Sequence, residues 1–370
     1  MEYRIPFGKL VLTASAKARL NDIADSGWVS EGRYVREFEE RFAAKFGWKH
    51  VIAVSSGTDA GVVVWSSIRS MADVELLEAD VITPACAFVA TANCLLAAGL
   101  VPRFKDIDIN TLNLDPAKTR WSVKPLGVQF VATMGKPSPL NEFEIPDDVW
   151  LVGDWCEAHG AVIGGVYADG LCDAAIYSYY AAHLVIGGEG GAICTNDDEL
   201  AEVCRSVKSH GRPLDGYFDF KRIGYNSKWN DMAAAVALGS LEQFDETFGR
   251  RVEVREKLLR ALQPMEDELI LYFNEPEEIV APHAMPVVLR NRTDGARLLQ
   301  TLDRAGIQTK TLFGSLPTQH KAFEFLGHKL GDFPVAERVG LSGVHFGCHE
   351  FITDEYVKYI AKTIEGFLLD

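Results

Sequence analysis

No lysine occurs between Lys136 and Lys208 of this 370-residue chain, so no side-chain amine can come from that window. A long apolar run is also missing. The longest weakly polar stretch, Phe88 to Val101, is interrupted by Asn93 and falls short of the roughly 18 apolar residues of a membrane span; it reads as a buried helix. Runs of Lys and Arg are absent and the formal net charge is −15, which argues against a nucleic-acid partner, because phosphate binding needs a basic surface. The opening Met1-Glu-Tyr-Arg-Ile-Pro has neither a basic leader nor an apolar core, so a cytoplasmic chain is expected. Seven cysteines are scattered without a C-x-x-C pair (Cys86, Cys94, Cys156, Cys172, Cys194, Cys204 and Cys348), a pattern of free thiols.

A composition of 48% hydrophobic and 24% charged residues at this length suits one large domain and a smaller one. Short apolar runs alternate with helical stretches, which points to an α/β sheet layer. Strands are expected at 51–54, 81–84, 101–104, 128–131, 150–153, 174–179 and 191–195, with helices from about Thr58, from about Phe88 and over 198–209. A long helix is expected from Asp231 to about Leu262, its charges forming a solvated face. After Pro264 the pattern resets: a strand at 285–290, a helix at 295–305, a strand at 307–311 and a closing helix at 354–367. The expected division is an N-terminal segment near the site mouth (1–30), a large domain (31–249) and a small α+β domain (250–370).

Ser55-Ser56-Gly57-Thr58 falls where a strand ends and a helix begins. Unpaired helix N–H groups there suit a phosphate, and the same residues also make an ordinary helix cap. Asp154 follows the apolar run Trp150-Leu-Val-Gly153 and should emerge at the carboxyl end of a buried strand, where open α/β sheets gather ligands. A buried carboxylate needs a cation or hydrogen bonds. A protonated pyridine nitrogen would serve, and so would a cap on the following turn. His345-Phe-Gly-Cys348-His349 is the one metal-like cluster; its glycines argue against a shared helix face, and no metal is expected.

Together these segments resemble the DegT/DnrJ/EryC1/StrS sugar aminotransferase family of fold-type I pyridoxal phosphate enzymes. The resemblance runs through Gly27 to Glu39, Ser55 to Asp59, Pro84 to Asn93, Val101 to Asp108, Gly153 to Ala161, Tyr177 to Thr195 and Gly224 to Leu241. It implies a large mixed-sheet domain with a smaller α+β C-terminal domain. It also implies that Ser56, Gly57, Thr58 and Ser178 hold the cofactor phosphate, Phe88 stacks on the pyridine ring, Asp154 pairs with its nitrogen and Glu157 meets its ring hydroxyl. Asn226 would reach the phosphate of a neighbouring subunit, giving a homodimer with shared active sites. Trp28, Arg33 and Tyr34 would line the nucleotide-sugar entrance.

Family aminotransferases place a Schiff-base lysine six residues before the Glu of Gly-Glu-Gly-Gly, and counting back from Glu189 gives His183. That departure, with Asp154-Trp-Cys156-Glu157 in place of the usual Asp-x-Ala-Gln, resembles a histidine-containing subgroup typified by GDP-4-keto-6-deoxy-mannose 3-dehydratase. A related iron-sulfur 3-dehydrase needs a cysteine cluster, but no cysteine lies between Cys204 and Cys348, so four-thiolate ligation is not expected.

The expected cofactor is therefore non-covalent pyridoxal 5′-phosphate, cycling with pyridoxamine 5′-phosphate through L-glutamate. His183 would remove a proton from the cofactor and return one to the departing C3 hydroxyl of a nucleotide-linked 4-keto-6-deoxyhexose. An unperturbed imidazole pKa of about 6.5 suits both tasks. Two other readings are an aminotransferase whose lysine has been replaced at position 183, and a catalytically silent binding protein.

Overall fold

The computed structural model describes residues 3–120, 123–138, 140–213 and 218–370. Two helices precede the first strand, α1 (Ala14–Ser26) and α2 (Arg33–Phe46). Thr13 caps α1 by accepting from the Ala16 N–H at 3.0 Å, and α2 buries the stripe Tyr34, Val35, Phe38, Phe42 and Phe46, the spacing of a helix with one core face. The sequence reading missed both helices; α1 buries only Ala16 and Ile23, too sparse a stripe to mark it.

Next come β1 (His50–Val54), α3 (Gly57–Met71), β2 (Asp80–Pro84), α4 (Ala90–Ala97), β3 (Val101–Lys105), β4 (Gly127–Val131) and β5 (Trp150–Asp154). The short strands β6 (Val162–Ile163) and β7 (Val166–Tyr167) lead to β8 (Ala174–Ser178), β9 (Gly191–Thr195) and α5 (Asp198–Val207). Seven of these strands form one sheet in the order β1-β9-β8-β5-β4-β2-β3. Its middle is parallel, and β9 alone runs against both of its neighbours. Strands β4 and β9 are buried along their whole length, as expected of a sheet covered on both faces.

The expected helix from Asp231 to Leu262 divides at Gln243 into α6 (Asp231–Glu242) and α7 (Phe244–Leu262). There follow β10 (Leu269–Ile270), β11 (Glu278–Ile279), β12 (Ala284–Leu289), α8 (Gly295–Arg304), β13 (Thr309–Thr311), α9 (Leu316–Gln319), α10 (Pro334–Ser342), β14 (Gly343–Gly347) and α11 (Asp354–Leu369). Strands β10-β12-β14-β13 make a second, antiparallel sheet, while β11 joins β6 and β7 in a small ribbon. α7 and α11 pack against the second sheet through Leu258, Leu262, Ile360 and Ile364. Ile307, expected to open this strand, lies outside β13 and bridges Ile5 instead. The N-terminal segment is thereby laid along the second sheet, where Phe7 N–H donates to Gln308 Oε1 at 2.8 Å.

Candidate active site

Parallel strands deliver their carboxyl ends to one edge, and this site draws on four of them and on the amino end of the reversed β9. Ser56 follows β1, Phe88 follows β2, Asp154 ends β5, Ser178 ends β8, and Glu189 leads into the reversed strand β9. All five residues line one cavity of about 610 Å³, within the ordinary range for a small-molecule site. Gly57, Thr58, Glu157 and His183 line it too.

The anion wall is built by close approach. Ser56 caps α3 by accepting from the Asp59 N–H at 3.0 Å, so the cap reading of that motif holds while Gly57 and Thr58 open its first turn toward the cavity. A Cβ on Gly57 would stand 2.7 Å from Ser178 Cβ and 3.1 Å from Cys156 Sγ. Glycine is needed there to bring β8 against the helix start.

Asp154 is oriented by two donors, the Thr91 hydroxyl at 2.9 Å and the Cys156 N–H at 3.2 Å. Burial raises its carboxyl above the usual range, and the groups acting on it include no cationic side chain among the described residues. A cationic ligand nitrogen would compensate that desolvated carboxylate. Glu157, also facing the cavity, is pushed up to about 7 by burial, against the Met134 N–H that donates to it at 2.7 Å. Phe88 keeps a 58% exposed ring, set edge-on to Phe313 with centroids 5.9 Å apart.

His183 faces the cavity while its Nδ1 is shut away without a hydrogen-bond partner. The ring belongs to a group of imidazoles that the sequence reading did not assemble. His283 lies 5.1 Å from it and His159 6.1 Å, centroid to centroid, and His345 lines the same cavity. Burial, with a smaller push from Lys310 and Arg251, lowers His183 to about 3. The expected pKa near 6.5 therefore does not describe the cofactor-free site. A neutral imidazole of this kind is a weak base whose conjugate acid surrenders its proton readily.

Two expectations fall elsewhere. Trp28, Arg33 and Tyr34 do not line the cavity of their own chain. The Trp28 indole donates to Glu31 O at 3.1 Å, Arg33 pairs with Asp22, and the buried Tyr34 donates its hydroxyl to Asp22 at 2.7 Å. Asn226 stands exposed, outside that cavity, with its carboxamide oxygen on Lys228 at 2.5 Å. Of the metal-like pair, His345 lines the cavity, whereas His349 donates to Pro6 O at 3.0 Å and pins the N-terminal segment. Among the described residues no cluster of three His, Cys, Asp or Glu could hold a metal ion.

Sequence reasoning also missed Lys310. It reaches the cavity wall from β13, far outside the lysine-free window. The only sequence signal was alternation around Thr309-Lys310-Thr311, which says nothing of where the strand sits.

The DegT/DnrJ/EryC1/StrS aminotransferase family profile matches residues 11–365. The chain belongs to that family. The family's members include proteins of more than one chemistry. The dTDP-4-dehydro-2,6-dideoxy-D-glucose 3-dehydratase of Saccharopolyspora spinosa is 28% identical, over 92% of this chain and 81% of its own length. The GDP-perosamine synthase of Escherichia coli O157:H7 is 26% identical, with both chains fully covered. Among solved structures, the E. coli GDP-4-keto-6-deoxy-D-mannose-3-dehydratase with bound hydrated pyridoxal phosphate superposes with a TM-score of 0.88 at 22% identity, over 98% of this chain and 100% of that one. The mixed sheet with its smaller antiparallel companion is thus the fold-type I architecture of this DegT/DnrJ/EryC1/StrS member.

Proposed function

We propose that the protein is a 3-dehydratase that removes the C3 hydroxyl of a nucleotide-linked 4-keto-6-deoxyhexose, with L-glutamate as amino donor. One observation carries the reading: His183 lines the cavity from the segment after β8, and no lysine accompanies it on that segment. The relatives named above include both 3-dehydratases and a perosamine synthase, and the reading offered here turns on position 183.

Pyridoxal 5′-phosphate, alternating with pyridoxamine 5′-phosphate, is the cofactor, and when bound it supplies an electron sink and an exchangeable amine. The cavity fits it. Gly57 and Thr58 at the start of α3, with Ser56 and Ser178, take the phosphate. Asp154, aimed by Thr91 and Cys156, keeps the ring nitrogen protonated. Phe88 covers the ring and Glu157 holds its hydroxyl. His183 would act as the proton carrier, accepting a proton beside the ring and supplying one to the departing C3 hydroxyl. Having no amine, it would offer the cofactor no covalent attachment from this segment. The turnover balances as one L-glutamate and one keto sugar giving one 2-oxoglutarate, one ammonia and one 3-deoxy-4-keto sugar.

The exposed Asn226 reaches a second copy's phosphate in a homodimer, and residues 1–30, 31–249 and 250–370 act as mouth segment, cofactor lobe and small lobe. No helix of the described residues is long and apolar enough to cross a membrane.

The aminotransferase reading is favoured by one observation, the Lys310 amine in the cavity wall. Incubation with pyridoxal phosphate, L-glutamate and GDP-4-keto-6-deoxy-mannose separates the two. Release of ammonia with loss of the C3 hydroxyl is expected. A sugar that retains a 4-amino group and its C3 hydroxyl would instead establish the aminotransferase, and bound cofactor with no turnover of any such sugar would leave a binding protein.

A further inference from the structure

Among the described residues two lysines are buried, and each has a carboxylate. Lys136 Nζ lies 2.7 Å from Glu278 and Lys208 Nζ 2.9 Å from Glu31. Lys310 differs. It is the only Lys or Arg on the cavity wall, among the described residues, and no carboxylate of those residues pairs with it. Its Nζ lies instead 4.1 Å from the centre of the Phe7 ring, a contact that steadies an ammonium without neutralising it. Phe7 is itself fixed, through its N–H on Gln308. Directly across the antiparallel ladder from Lys310 stands His345, so both side chains leave the same face of the second sheet. His345 and His283 each hold a buried Nδ1 with no partner. This wall faces the cavity from the sheet opposite the one that supplies Gly57, Thr58 and Ser178.

We infer that Lys310, flanked by His345 and His283, is the seat for a carboxylate of the amino donor. The inference rests on the proposed cofactor and amino donor, and is independent of what becomes of the sugar. A single ammonium among imidazoles that burial keeps neutral matches the single charge of a carboxylate. The dianionic cofactor phosphate has its own wall of helix N–H groups and hydroxyls. Burial already lowers the Lys310 amine, and Glu157 acts in the opposite sense; an arriving carboxylate would favour the charged form further. Each seat then serves one anion, and the cofactor lies between them.

The test is the first half of the cycle, run without any nucleotide sugar. Holoprotein is mixed with L-glutamate, and loss of the aldehyde's near-visible band is followed as a function of donor concentration. For Lys310→Gln the concentration giving half-maximal rate should rise about tenfold or more, the loss expected when a charged hydrogen-bonding partner is removed. Lys310→Arg should recover most of it, and pyridoxal phosphate affinity should stay within about twofold, an effect well under 1 kcal/mol. An unchanged L-glutamate dependence overturns the inference. So does a defect confined to the nucleotide-sugar KM in the full reaction, which would place a diphosphate there. Borohydride reduction that fixes the cofactor to the Lys310 peptide overturns it as well, making this amine an attachment point. A wild-type protein that converts the cofactor with L-glutamate but leaves the sugar's C3 hydroxyl in place sinks the dehydratase reading alone.

Discussion

The His183 and His283 rings lie 5.1 Å apart at 38°, and His283 Nε2 is 3.5 Å from Glu157 Oε1. The base proposed for proton transfer is thus part of a row of imidazoles ending on a carboxyl, and burial holds both rings below the ordinary histidine range. Above pH 6.5 these histidines are neutral whether the chain is folded or not. As pH falls from 6.5 toward about 3, the unfolded chain takes up protons that the folded cofactor-free site refuses, and stability is lost. Thermal unfolding of the cofactor-free protein should therefore show a smaller drop in Tm between pH 7 and pH 4.5 for His183→Asn than for the wild type. Equal drops would mean that the ring is not held neutral.

Glu157 works with the opposite sign. Its carboxyl is raised to about 7, so between the ordinary value of 4.5 and 7 the unfolded chain releases a proton that the folded one keeps, and stability falls as pH rises. Glu157→Gln removes the ionisation while preserving an acceptor for the Met134 N–H. In the cofactor-free protein it should be near neutral at pH 4.5 and stabilising at pH 8, on the order of 1–3 kcal/mol. Chemical denaturation at the two pH values reads this directly, and a variant that is no more stable at pH 8 refutes it.

Asp154→Asn keeps the shape and an acceptor for the Cys156 N–H, with its amide donating to the Thr91 hydroxyl in place of accepting from it, but loses the charge. A carboxamide cannot hold a pyridine nitrogen protonated. Pyridoxal phosphate affinity should fall about tenfold to a hundredfold, the range for losing a charged hydrogen bond, as measured by equilibrium dialysis. Amination of the cofactor by L-glutamate should slow further than affinity alone explains, because the electron sink is weakened. An Asn variant that binds and reacts like the wild type would show that Asp154 only caps its turn.

Much of the large sheet was legible because its strands are short, buried and bounded by punctuating residues. Val51 to Val54 stops at two serines and a glycine, and Trp150 to Gly153 stops at Asp154. Of those stopping residues Ser56, Gly57 and Asp154 line the cavity, since parallel strands present their carboxyl ends together. The other wall was illegible for the same physical reason in reverse. Lys310, His283 and His345 sit on or beside antiparallel strands of the second sheet, and no local pattern says which face meets the first. His345 drew notice only for its company with Cys348 and His349, whereas the fold sends His349 to Pro6 and His345 to the cavity. Trp28, Arg33 and Tyr34, which the resemblance set at the nucleotide-sugar entrance, lie outside the cavity of their own chain, and Asp22 takes both Arg33 and Tyr34.

The closeness of Gly57 to Ser178 gives the sharpest steric prediction. A methyl group at 57 would meet Ser178 Cβ at 2.7 Å and Cys156 Sγ at 3.1 Å, so Gly57→Ala must push the start of α3 away from the end of β8. Overpacking of this kind costs about 1–3 kcal/mol, and it should also weaken pyridoxal phosphate binding, because the helix N–H groups and the Ser178 hydroxyl would no longer converge. The two effects can be separated. Adding Ser178→Gly to Gly57→Ala removes the nearest clash, so stability should partly return, a non-additive result expected of residues in contact. Cofactor affinity should not return, because the hydroxyl has gone. Recovery of affinity along with stability in the double variant would show that Ser178 contributes packing and not a phosphate ligand.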